Sequence, residues 1–215
     1  KGSLRVGSST SIPLEEAICV IDGPRIRTNE WLTEAETLRL ALRETEGQDG
    51  TYDLGLETER LNLPVRVRRM LDPAGLQPDA FEKIRLDANI RFDKPWDRFA
   101  IEQRRPQPRA IELREARATW GELDLRAAGN LDIDEAGRAS GDITIKAKNW
   151  REILAIVERS GLLPQSFLPL IESALEAATG LSGPSDSLDI PLTFKEGQIS
   201  IGILPLGKAP LFQLR

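Results

Sequence analysis

Residues 141–180 read GDITIKAKNWREILAIVERSGLLPQSFLPLIESALEAATG. The opening GDITIKAK alternates: Ile143, Ile145 and Ala147 fall on one side, Asp142, Thr144, Lys146 and Lys148 on the other. That is the period-two pattern of a strand with one dry and one wetted face. At Asn149 the period changes. Trp150, Ile153, Leu154 and Val157 stand at i, i+3, i+4 and i+7, a single apolar stripe on a helix. Asn149 is a favourable N-cap with Glu152 three residues on, in the manner of a capping box, and Gly161 ends the run. Ser166 caps a second helical stretch, with Pro169 in its first turn and Phe167, Ile171, Ala174, Leu175 and Ala178 as its stripe, closed by Gly180. A strand therefore runs into a helical hairpin at about 149–179.

Outward from this stretch, the strand period dominates. Leu38, Leu40 and Leu42 alternate with polar neighbours, as do Tyr52, Leu54 and Leu56, and Ile84, Leu86, Ala88, Ile90 and Phe92. The pattern returns over 123–133, 188–194 and at Ile199, Ile201 and Ile203. Short glycine-bearing links at Gly121, at DEAGR (134–138) and at Glu196–Gly197 read as hairpin turns. The expected fold class is mainly β (α+β), a curved antiparallel meander of about eight to ten strands with the helical hairpin packed on its apolar face. Lesser helical turns are expected in PWDRFAIEQ, opened by Pro95, and in LPVRVRRMLDPAG. RRPQPR (104–109) and GLSGPSDS (180–187) read as links too short to divide domains, so residues 1–215 are read as one domain.

Composition narrows the chemistry. The 215 residues carry 29 basic and 34 acidic side chains, well interspersed, for a net charge of -5, which argues against a nucleic-acid partner. The absence of histidine removes imidazole catalysis and His-ligated zinc, and the lone Cys19 removes intrachain disulfides and thiolate clusters. Cys19 lies in the apolar AICVID, where an inert thiol is the default. DIDEAGRASGDI begins like a calcium loop, but Ala136 and Ile143 occupy positions where oxygen ligands are needed. No nucleotide-binding glycine pattern or nucleophile elbow occurs. The residues thus offer no catalytic constellation, no metal site and no cofactor. Two basic pieces, Arg66, Arg68 and Arg69, and Arg104, Arg105 and Arg109, have the chemistry to meet anionic headgroups, although a solvated loop is the commoner role for such clusters.

A sheet this wide needs its apolar face covered. A helix pair of ~18 Å covers only a few strands at ~4.8 Å spacing. The remainder either closes on itself or leaves a groove. A groove would be lined by Leu38, Leu40, Leu54, Leu56, Leu86, Ile90, Leu123, Leu125, Ile143, Ile145, Leu192 and Phe194, and would take lipid or another apolar ligand. In a closed sheet the same residues are core, and the protein becomes a structural or protein-interaction module, with Trp96 and Arg98 as its exposed cluster.

TYDLGLETERLNLP, DKPWDR, RRPQPR, the segment from ATWGELDL to KNWREIL, and LDIPLTFKEGQISIGILPLGKAP together resemble an alphaproteobacterial family, domain of unknown function 2125. The resemblance implies a hydrophobic segment ahead of Lys1, hence export, a membrane tether and a place at the periplasmic face of the inner membrane. It supplies no catalytic residues. The strand–turn rhythm of WGELDLRAAGNLDIDEAGRASGDITIKAKNWREIL is also similar to repeats of AsmA-like envelope proteins, whose long curved sheets are linked to lipid transport.

Overall fold

A computed structural model describes residues 1–28, 31–72, 75, 77–160, 169 and 187–214. Strands β1 (Gly2–Val6), β2 (Leu14–Asp22), β3 (Arg25–Arg27), β4 (Leu32–Glu34), β5 (Thr37–Glu44) and β6 (Thr51–Asn62) precede helix α1 (Val65–Leu71). After β7 (Ala80–Phe92) come α2 (Phe99–Glu102), β8 (Pro108–Trp120), β9 (Leu123–Ile133) and β10 (Ala139–Lys148). Helix α3 (Trp150–Ser160), β11 (Ser187–Lys195), β12 (Gln198–Ile201) and β13 (Leu204–Lys208) complete the described elements.

The strands form one antiparallel meander in the order β1-β2-β5-β6-β7-β8-β9-β10-β11-β12-β13, with the β3–β4 hairpin joined to β6 through β4. The sheet is open: β1 and β13 end it and do not meet. Its thirteen strands exceed the eight to ten expected from periodicity. The surplus lies in strands of three to five residues such as RIR, LTE and GSLRV, too short to display a period. LEEAICVID adds an unbroken apolar run, and LPLGK is masked as a strand by its Pro and Gly.

Three covers meet the apolar face. At one end of the strands, α3 seats Trp150, 2% exposed, against Ala147 and Leu188. Its Ile156 joins Trp120 and Leu123, with Leu71 of α1 and Phe81 packed alongside. Phe81 stacks on Trp120 at 4.7 Å, and the Trp120 indole donates to the Pro78 carbonyl at 2.8 Å. At the other end, the β7–β8 connection folds back across the sheet. Tyr52 is fully buried there, its hydroxyl accepting the Trp96 N–H at 3.0 Å, and the Trp96 carbonyl in turn accepts the Leu14 N–H. The tail after β13 forms the third cover: Phe212 N–H donates to Gly137, Leu214 is bonded to the Gln107 amide, and Phe212 packs on the cluster of Leu131, Ala139, Ile143 and Phe194.

Two expected details change. The helix foreseen from Pro95 is confined to Phe99–Glu102, because the Asp97 carboxylate accepts the Phe99 and Ala100 N–H groups and starts it there. Trp96, foreseen as an exposed partner of Arg98, is tucked edge-on against Phe92 at 5.6 Å, while Arg98 lies over the Phe99 ring. The second half of the helical hairpin, 166–180, falls outside the described residues apart from Pro169.

Asn149 begins α3, but not as a side-chain cap. It adopts φ 58°, its own carbonyl accepts from Glu152 and Ile153, and its amide donates to the Glu122 carbonyl at 2.9 Å. The Glu152 carboxylate is bonded to Gln77 instead of closing a capping box. Aspartate is an equally good N-cap and tolerates this backbone, but it has no N–H to give Glu122. Asn149→Asp is therefore expected to cost about 1 kcal/mol in a urea melt, the size of a lost hydrogen bond; unchanged stability would mean that the side chain caps after all.

Candidate functional site

Cross-strand register converts the alternating sequence into rows. One row on the apolar face runs Cys19, Leu40, Leu56, Leu86, Ala116, Ala127, Ile145, Ile190. Beside it runs Leu42, Leu54, Ala88, Leu113, Gly129, Ile143, Leu192. The flanking rows contain Leu38, Leu125 and Leu188 on one side and Ile90, Leu131 and Phe194 on the other. All twelve residues singled out from the sequence thus share one face, Leu123 two positions before Leu125.

Their surroundings differ between the halves of the sheet. Ile143, Ile145, Leu192 and Phe194 lie in the cluster beneath the C-terminal tail. Leu123 and Leu125 lie beneath α3. These six are core. Leu38, Leu54, Leu56, Leu86 and Ile90 are half-buried and Leu40 is 39% exposed, and among the described residues they belong to none of the three buried clusters. Cys19 is a free, half-buried thiol in the same row as Leu40.

The opposite face is charged, and its charges are paired between neighbouring strands, some along a row and some diagonally across two. Glu16 bridges to Arg43 at 2.6 Å, Arg39 to Glu57 at 3.5 Å, Arg85 to Glu115 at 3.3 Å and Arg117 to Asp124 at 2.8 Å. Between two such rows lies one of small or apolar residues, Ile18, Ala41 and Gly55, leaving a shallow depression of about 610 Å³ rimmed by Glu16, Arg39, Arg43, Glu57 and Arg85. The rim signs alternate, so the depression presents little net field to a charged ligand.

Alternation gave no sign of one polar network. A β-bulge between Leu113 and Ala116 re-aims Arg114, which reaches Asp53 at 2.7 Å and Asp87 at 3.3 Å; Asn89 then joins Asp53 to Thr45. The Asn89 amide, with help from Arg114, holds the Asp53 carboxyl below its usual range despite partial burial. Burial opposes ionisation of Asp124, yet Arg117 and Arg126 hold it low as well. For Tyr52 burial prevails and pushes the phenol up to about 12. The DEAGR turn uses its acid internally: Asp134 accepts from the Ala136 and Arg138 N–H groups and pairs with the Arg138 side chain. RRPQPR is likewise tied down, Arg104 and Arg109 both meeting Asp93.

A family model described as an uncharacterised protein conserved in bacteria, DUF2125, matches residues 1–210, and the chain belongs to that family. No curated protein and no solved structure matches it.

A carboxyl whose folded pKa is depressed stabilises the fold fully above its unfolded value, 3.8 for aspartate, and loses that contribution as pH falls through the folded value. Asp53→Asn should therefore lower the urea midpoint at neutral pH while narrowing its gap to wild type below 3.8. A gap that stays constant with pH would show that ionised Asp53 contributes nothing.

Proposed function

We propose that this DUF2125 member binds an apolar ligand, best matched by a lipid acyl chain, along the N-terminal half of its apolar face. The observation that carries this reading is the continuous row Cys19, Leu40, Leu56 and Leu86 beside Leu42 and Leu54 on an open sheet. Such a surface offers burial without directional polar contacts, which suits a chain of methylenes: each CH₂ removed from water contributes about 0.8 kcal/mol. The covers at the two strand ends leave the strand centres as the place for it. A closed interaction module is the weaker reading, since the sheet ends at two separate edges. The family resemblance supports an envelope setting for the same role, with the ligand drawn from the periplasmic face of the inner membrane.

Native mass spectrometry of detergent-free protein, followed by organic extraction, tests the proposal. Wild type is expected to carry or take up a fatty acid or phospholipid, and Leu40→Gln, at a partly exposed position on the row, to lose most of that uptake with little change in thermal melting. An apo mass that persists after incubation with vesicles would overturn it. Leu125 is unsuitable for this test, because it packs beneath α3.

A further inference from the structure

The β3–β4 hairpin and α1 are brought together at one end of the strands, where Glu34 pairs with Asn62 and the Thr33 hydroxyl donates to the Asn62 carbonyl at 3.1 Å. Trp31 and Leu32 line one side of a shallow depression there, Val65 and Arg66 another. Large apolar side chains stand in the open here: Val65 is 58% exposed, Trp31 40%, and Val67 and Met70 are also exposed. Among them on α1 are the exposed guanidiniums of Arg66 and Arg69, with exposed Arg27 opposite Leu32 on the hairpin, and none of the three makes an ion pair with any described residue. Elsewhere the arginines of this chain are mostly engaged; even their neighbours Arg25 and Arg68 are tied to Glu34 and Asp79.

The arrangement on α1 follows from helical pitch. At about 100° per residue, Val65, Arg69, Arg66, Met70 and Val67 spread over one arc of roughly 200°. Arg68 and Leu71 turn the other way, toward Asp79 and the core around Trp120. Cations with no ion-pair partner among the described residues, set beside exposed apolar side chains on a chain of net charge -5, are not accounted for by solubility or by packing. They match a surface that is itself negatively charged above and apolar a few ångströms below. We propose that this corner, Arg27, Trp31 and the outer arc of α1, docks on an anionic lipid surface. The arginines meet headgroup phosphates, while Trp31, Val65 and Met70 enter the headgroup–acyl boundary. The residues are distinct from those lining the apolar face, so this inference stands or falls separately from the proposed ligand site.

The test is cosedimentation with vesicles of phosphatidylglycerol and phosphatidylcholine, against phosphatidylcholine alone, at low and high salt. Binding is expected only to the anionic vesicles, weakening as salt rises. Each arginine neutralised should reduce it roughly fivefold, so Arg66→Gln with Arg69→Gln should reduce it about 25-fold. Trp31→Phe should remove the blue shift of tryptophan fluorescence on binding. Leu40→Gln, which acts on the sheet face, should leave vesicle binding unchanged. Because all the substituted side chains at this corner are exposed, thermal melting should stay at the wild-type value and separate lost docking from lost fold. Wild type that ignores anionic vesicles, that binds neutral ones equally, or whose double variant binds as well as wild type would overturn the proposal.

Discussion

Successive side chains of a strand point to opposite faces, and antiparallel pairing in register carries that alternation from one strand to the next. Everything else in this molecule follows from having to keep one face of a very wide sheet dry. The rows through Leu40, Leu56 and Leu86 and through Leu54, Ala88 and Leu113 are the direct outcome. A one-residue slip anywhere would place a leucine among the arginines opposite. The chain answers the need for cover with separate pieces: α3 with α1 at one end, the Trp96 connection and the C-terminal tail at the other.

The charged face does different work. Its bridges are largely exposed, and such pairs contribute little to stability individually. Like charges do stand opposite one another in this register, Arg85 beside Arg117 and Arg117 beside Arg126, and diagonal bridges such as Arg85–Glu115 and Arg117–Asp124 offset them. The apolar rows therefore specify the pairing, and the charged face accommodates it. The bulge in β8 between Leu113 and Ala116 interrupts the pattern in the middle of the sheet. Beside it, Gly129 takes φ 154°, where an added Cβ would run into the Asp142 carbonyl of the neighbouring strand, so the position requires glycine.

The sheet and the start of the helical hairpin were legible because their periods are clean over eight residues or more. The Glu196–Gly197 turn was legible as well: both residues take positive φ, as a two-residue hairpin link requires. Short strands such as RIR and LTE carry no period and were invisible. Asn149 was placed correctly at the head of α3 but given the wrong job, since sequence reports a residue's aptitude for capping and not the competing carbonyl of Glu122. The twelve candidate residues fell on one face as alternation demands. Which of them are core depends on α3 and on a tail returning past Gln107, long-range contacts that no local pattern encodes.

Cys19 gives the central claim its most direct test. It is the chain's single cysteine, a half-buried thiol in the row with Leu40 and Leu56. The rate of its alkylation by a maleimide should be measured on delipidated protein and again after loading with a long-chain fatty acid. A ligand lying along the apolar face predicts that loading slows the reaction several-fold, with the delipidated rate restored on extraction. Equal rates in the two states would contradict it and leave the apolar face as core surface alone.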